Sequence, residues 1–197
     1  MPNGIEVFFD VGSPASYLAW TQLPALAQRN NAQLIWKPML LGGVFKATGN
    51  QSPITIPAKG KYTMMDLQRF ARLYNVPLIF NPYFPINTLH LMRGAVAMLG
   101  RPEFSIYLNA VFTAIWVDEK NMGLPDVVAD VLAGAGLDPQ EILLLSNQEQ
   151  VKEQLKTLTE EAVDRGVFGA PTFFLGEEMF FGQDRLEMLE STLNNIQ

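Results

Sequence analysis

GAPTFFLGEEMFFGQDRL, residues 169–186, reads as two short strands and the start of a helix. Thr172 to Leu175 is an apolar, β-forming run, Gly176-Glu177-Glu178 supplies the turn, and Met179 to Phe181 is the returning strand. Gly182-Gln183-Asp184 then leads into a last helix from Arg185 to Asn194. Two strands cannot form a stable sheet alone, so this tail needs partners. They stand at the other end of the chain. IEVFFD (Ile5 to Asp10) is a short apolar run that reads as a buried strand, and it stops at Val11-Gly12. Ser13 and Pro14 then make a helix start, because the hydroxyl accepts from an orphan amide and proline has no amide to leave unpaired. The helix runs to Gln28, with Tyr17, Leu18, Leu23, Leu26 and Ala27 as its buried face. Leu34 to Met39 is a second strand. A βαβ unit requires parallel strands and a right-handed crossover, and joining it to the ββα tail gives one four-stranded mixed sheet.

Between these ends the chain reads as loop from Leu40 to Ala58, on the strength of Gly42-Gly43, Gly49-Asn50, Pro53 and Pro57. Helices are predicted over 62–74, from a cap at Asn87 or Thr88, and over 103–117, 124–133, 140–145 and 148–165. An extended segment, VPLIFNPYFP, interrupts them. The predicted fold class is therefore α/β, a thioredoxin-like βαβ…ββα sheet with a large all-helical insertion. Residues 1–39 and 167–197, with part of the 148–166 helix, would form the thioredoxin-like domain. Residues 40–166 would form the mainly helical insertion.

Composition narrows the chemistry. Of 197 residues, 14 are basic and 20 acidic, giving a net charge of −6 without a basic cluster, which argues against nucleic acid as a partner. The opening MPNGIEVFFDVGS has no basic, apolar leader pattern, and no run of apolar residues reaches membrane-spanning length; a cytoplasmic protein with no membrane partner is expected. There is no cysteine, which excludes disulfides, Cys-type zinc sites and a CxxC redox centre of the chain's own. With His90 as the single histidine, a metal site is not expected either.

Ser13 is the first candidate. It stands where a strand turns into a helix, the end of an α/β sheet at which ligands bind. Helix N-termini attract anions through free amides and the macrodipole. A thiol of ordinary acidity is only about three per cent ionised at pH 7, and lowering its pKa by two units raises that to roughly three-quarters. The local sequence leaves open a plain N-cap worth about 1 kcal/mol. Ala170-Pro171 is either an ordinary strand-start proline or a cis bond that leaves the Ala170 backbone free to pair with an extended peptide. Asp184 is either a plain N-cap or, with Gly182 and Gln183, a ligand for charged end groups. Asp10 either satisfies turn amides or orients the Ser13 loop. His90 reads as a partly buried structural histidine, and Trp36 and Trp116 as core or as the lining of an aromatic site.

FFDVGSPASYLA (Phe8 to Ala19), LLGGVFKATGN (Leu40 to Asn50), DLQRFARLYNVPLIF (Asp66 to Phe80), NAVFTAIW (Asn109 to Trp116) and the tail from Val167 to Glu190 occur together, in this order, over nearly the whole chain. In this the sequence resembles the 2-hydroxychromene-2-carboxylate isomerases, relatives of the kappa-class glutathione transferases and the DsbA-like oxidoreductases. The resemblance implies glutathione as cofactor, an aromatic carboxylate as substrate and a homodimer. It implies that Ser13 takes the place of the oxidoreductases' reactive cysteine and hydrogen-bonds the glutathione sulfur. Ala170, before a cis Pro171, would pair with the cysteinyl backbone, and Phe181, Gly182, Gln183 and Asp184 would hold the γ-glutamyl end. Lys46 would meet the substrate carboxylate, with Thr55, Ile56, Phe84 and Asn87 around the aromatic ring. Thr55, Ile56, Pro85 and Asn87 depart from the Asn, Arg and Tyr that such proteins often carry in those loops. A kappa-like transferase conjugating electrophiles and a non-catalytic thioredoxin-like binding module are the alternatives.

Overall fold

The computed structural model describes residues 4–196. Met1, Pro2 and Asn3, part of both the leader reading and the domain assignment, and Gln197 at the end of that assignment lie outside the described residues. The strands β1 (Gly4–Phe9), β2 (Gln33–Pro38), β3 (Thr172–Leu175) and β4 (Glu178–Phe181) form one sheet in the order β2-β1-β3-β4. β1 runs parallel to β2 and antiparallel to β3, with Phe8 opposite Thr172 and Ile5 opposite Leu175. β3 and β4 form a hairpin closed by Gly176-Glu177, in which Gly176 takes the left-handed conformation its missing Cβ allows (φ +61°). The sheet topology is as the sequence predicts.

The two-residue period of the strands sorts their side chains to opposite faces. Ile5, Val7, Phe9, Phe173 and Leu175 join the main core, while Phe8 and Phe174 face a smaller cluster with Met39, Val44, Ala162 and Val167. The main core meets α1 (Pro14–Arg29) and α9 (Leu186–Ile196) and continues without a break into the helices between the sheet halves. These include α3 (Pro57–Leu73), α4 (Leu89–Met98), α5 (Phe104–Trp116), α6 (Pro125–Gly134) and α7 (Pro139–Ser146). Packing is close where α4 meets α5: the Tyr107 hydroxyl occupies the place a side chain on Gly94 would need, and donates to the Leu91 carbonyl at 2.7 Å. On the far face, α8 (Glu149–Asp164) covers the smaller cluster. There the Arg165 guanidinium lies 3.7 Å from the Phe174 ring centroid while donating to Glu6.

Two expectations about the chain after β2 need correction. The segment read as loop from Leu40 to Ala58 contains a helix, α2 (Leu41–Thr48), and a 3-10 turn, Pro53–Thr55. Glycine is used there for close packing as well as for turning: a Cβ on Gly43 would lie 3.1 Å from the Thr159 methyl of α8, and Val44 is fully buried. Gly49 ends α2 in the left-handed conformation. The next helix starts at Pro57 instead of Tyr62, with proline at the first helical position where its missing amide costs nothing.

Candidate functional site

The two ends of the chain meet at Ser13. It caps α1 with extended backbone, and its Oγ accepts from the Ser16 amide at 3.1 Å. The same hydroxyl donates to the Ala170 carbonyl at 2.9 Å, across 157 residues of sequence. The Ala170-Pro171 peptide is cis, as one of the two sequence readings has it. Ser13 is therefore more than a plain cap. The first turn of α1, Pro14-Ala15-Ser16-Tyr17, is uncharged, so nothing within it opposes an anion at that N-terminus. Ser13 and Ser16 also have the spacing of a Cys-X-X-Cys motif, with a hydroxyl in each place.

The tail supplies the adjoining wall. The Gly182 amide donates to the Pro171 carbonyl at 2.9 Å, which holds the turn after β4 against the cis bond. Gly182 has φ +97°, a conformation that favours glycine. Gln183 is buried, and its main-chain oxygen accepts from the Tyr74 hydroxyl at 2.7 Å. Burial pushes the Tyr74 hydroxyl up to about 12, helped by the negative charges of Asp184 and Glu187, so it stays a donor. Sequence reasoning missed Tyr74, and no local signal joins it to a residue 109 positions away. Asp184 is not the cap of the last helix. It sits inside a 3-10 turn, Gln183–Arg185, and its carboxylate pairs with Arg185 at 2.6 Å on the surface. The Phe181 ring packs on Phe168 at 4.6 Å and lies where a side chain on Gly169 would collide with it.

The residues expected around the substrate are placed differently. Lys46 is exposed in the last turn of α2, about 8 Å along the helix from its first residue, Leu41. Thr55 and Ile56 are exposed where the 3-10 turn passes into α3. Asn87 is exposed and accepts from the Leu89 amide at the start of α4. Phe84 is half-buried and stacks near Phe80 and Trp116, at 5.2 and 5.8 Å. Trp116 is wholly buried and donates to the Val11 carbonyl at 2.8 Å, so it fastens the loop before Ser13 to the helical core. Trp36 packs among Phe9, Trp20 and Phe104. His90 lies beside the Met122 carbonyl (3.0 Å), and burial lowers its pKa. Among the described residues no group of acidic or histidine side chains could hold a metal, and no helix is long and apolar enough to cross a membrane.

Comparisons with known proteins identify the fold and the family. The profile of the DSBA-like thioredoxin domain matches residues 4–194. A 2-hydroxychromene-2-carboxylate isomerase from Pseudomonas putida is 34% identical over 194 residues, covering 98% of this chain and 95% of the relative. Glutathione S-transferase kappa 1 of Rattus norvegicus is 29% identical, over 95% of this chain and 89% of its own length. A solved 2-hydroxychromene-2-carboxylate isomerase superposes with a TM-score of 0.85 at 32% identity, covering 98% of this chain and 95% of its own.

Proposed function

The chain belongs to the DSBA-like thioredoxin family, and within it to the 2-hydroxychromene-2-carboxylate isomerases; from that premise we propose a glutathione-dependent isomerase that interconverts 2-hydroxychromene-2-carboxylate and trans-o-hydroxybenzylidenepyruvate in aromatic hydrocarbon catabolism. The observation that carries this reading is the Ser13 hydroxyl on the Ala170 carbonyl, at a helix N-terminus, in a chain without cysteine. Such a site suits a borrowed thiol. The residues fit glutathione: an uncharged first turn for a thiolate, a cis-proline backbone for an extended peptide, and the exposed Asp184 carboxylate, on the turn that the Gly182 amide fastens to Pro171, for a charged end group.

When bound, glutathione would supply a thiolate for reversible addition to a conjugated carbon of the ring-opened substrate, and would be returned unchanged. The chain's own residues do the rest. Ser13 has one proton to donate, now given to Ala170 O. Turned toward the ligand sulfur, that donor stabilises the thiolate together with the amides and dipole of α1. The released Ala170 carbonyl then accepts from the ligand's backbone amide. Lys46 holds the substrate carboxylate and favours negative charge developing beside it. In this reading the protein works in the cytoplasm, where thiols stay reduced, as a homodimer.

The test is the ultraviolet spectrum of 2-hydroxychromene-2-carboxylate over time, with and without glutathione. Rapid equilibration that needs glutathione but does not deplete it is the expected result. Depletion would point instead to a kappa-like transferase, the second reading, which the kappa 1 relative supports. No change in either case sinks the proposed substrate.

A further inference from the structure

Asp10 closes β1 and is almost wholly buried, at 2% exposure. Its carboxylate accepts three hydrogen bonds from three separate segments. Oδ1 takes the Gly12 amide at 2.9 Å; Oδ2 takes the Leu41 amide at 2.9 Å and the Thr88 hydroxyl at 3.1 Å. Each donor stands at the start of a helix. Gly12 precedes the cap of α1, Leu41 is the first residue of α2, and Thr88 is the cap position of α4. Neither α2 nor α4 is capped by its own N-cap side chain: Leu40 has nothing to offer, and Thr88 turns its hydroxyl to Asp10. One carboxylate therefore stands in for the missing cap of α2 by taking the Leu41 amide, and it holds the Thr88 hydroxyl at the start of α4, whose Leu89 amide goes to Asn87. It does so at a point where three helix dipoles all favour negative charge. Burial pushes the Asp10 carboxyl up, and the three donors oppose that shift.

A carboxylate that only satisfied its own turn would need Gly12 alone. The reach to residues 41 and 88 joins Ser13 to the two segments that carry the expected substrate contacts, since α2 bears Lys46 and α4 follows Phe84 and Asn87. The cofactor wall is held separately, by the Gly182 amide on Pro171 and by Tyr74 on Gln183. We propose that Asp10 is the positioning residue of the reaction, setting the Lys46 helix and the start of α4 against the Ser13 turn. This rests on the isomerase reading for its kinetic consequence but not for its structural one.

The experiment compares Asp10→Asn with the wild-type chain. Asparagine has similar size, but its NH2 must face at least one of the three donors. The expected result is a fall in kcat/KM for the chromene carboxylate of about tenfold or more, with glutathione affinity within about twofold of wild type. Amide hydrogen exchange would quicken from Leu41 through α2 and stay unchanged in β3 and β4. Thr88→Val, which removes one donor and leaves two, would shift the same readouts in the same direction by less, and it decides the matter if Asp10→Asn does not fold. Unchanged kinetics and exchange in a folded variant would overturn the proposal. So would a parallel loss of substrate turnover and glutathione affinity, the mark of general loosening. If the wild-type chain does not isomerise the chromene, the functional reading fails, and exchange at α2 still decides the role of Asp10.

Discussion

The cofactor half and the substrate half of the proposed site are built in different ways. The cofactor half is backbone: the Ala170 carbonyl, the cis peptide, the Gly182 amide and a Gln183 oxygen pinned by Tyr74, all resting on β1, β3 and β4. The substrate half is mostly side chains exposed on helix ends and loops, with Lys46, Thr55, Ile56 and Asn87 standing clear of the core and Phe84 half-buried against it. Main-chain recognition tolerates change in the side chains that carry it, whereas recognition by exposed side chains can be altered one residue at a time. On the proposed reading, such a frame would let the second substrate change while the cofactor stayed the same.

The sharpest way to break this contrast is at its junction. Ser13→Ala removes both the cap of α1 and the bond to Ala170; it should lower turnover about a hundredfold, at a cost in stability of about 2 kcal/mol from the two lost hydrogen bonds, and steady-state rates and thermal unfolding check the two separately. Lys46→Ala should act on the substrate half alone, raising KM for the chromene carboxylate about tenfold and leaving glutathione affinity by calorimetry as it was. If glutathione binding weakened equally, the division into halves would be wrong. Tyr74→Phe is the converse. Loss of a hydrogen bond worth about 0.5–1.5 kcal/mol should weaken glutathione roughly twofold to thirteenfold, with substrate KM unchanged at saturating glutathione.

The smallest effect concerns acid. Burial alone would raise the Glu6 pKa, but Arg165 and Lys37 outweigh it, and the net shift is downward from 4.5; Arg29 likewise lowers Glu190. Carboxylates with depressed folded-state pKa values add stability above their unfolded pKa and lose it as pH falls through the folded value. Thermal unfolding temperatures should therefore drop below about pH 4.5, and modestly, because exposed pairs of this kind contribute about 0–1 kcal/mol each. Glu6→Gln and Glu190→Gln should flatten that drop. The loss falls on the sheet and α9, the frame of the cofactor half.

Much of that frame is legible in the sequence because its signals are local. Ser13-Pro14 marks the start of α1, short apolar, β-forming runs mark β1 and β3, and Gly176 marks the hairpin. The substrate half is less legible. α2 carries two glycines and no capping side chain; it is a helix because Gly43 fits against Thr159 and because Asp10, 31 residues earlier, caps it. Asp184 misleads in the opposite way, since its local pattern is that of a cap while the backbone at Gly182 places it inside a 3-10 turn. The link from Tyr74 to Gln183, like that from Ser13 to Ala170, has no local trace.

The position of β1 between β2 and β3 has a consequence for how the protein is made. Its pairing with β2 is available once Pro38 has emerged, but the other edge waits for Thr172 to Leu175. At about 5–20 residues per second, ribosomal synthesis leaves that edge unpaired for on the order of ten seconds while the intervening helices appear. An open edge running from Ile5 to Phe8 is a template for a neighbouring chain. Translation speed between residues 38 and 172 thus sets how long a nascent chain can be captured by another before the hairpin of its own tail closes the sheet and, with Ala170, the site.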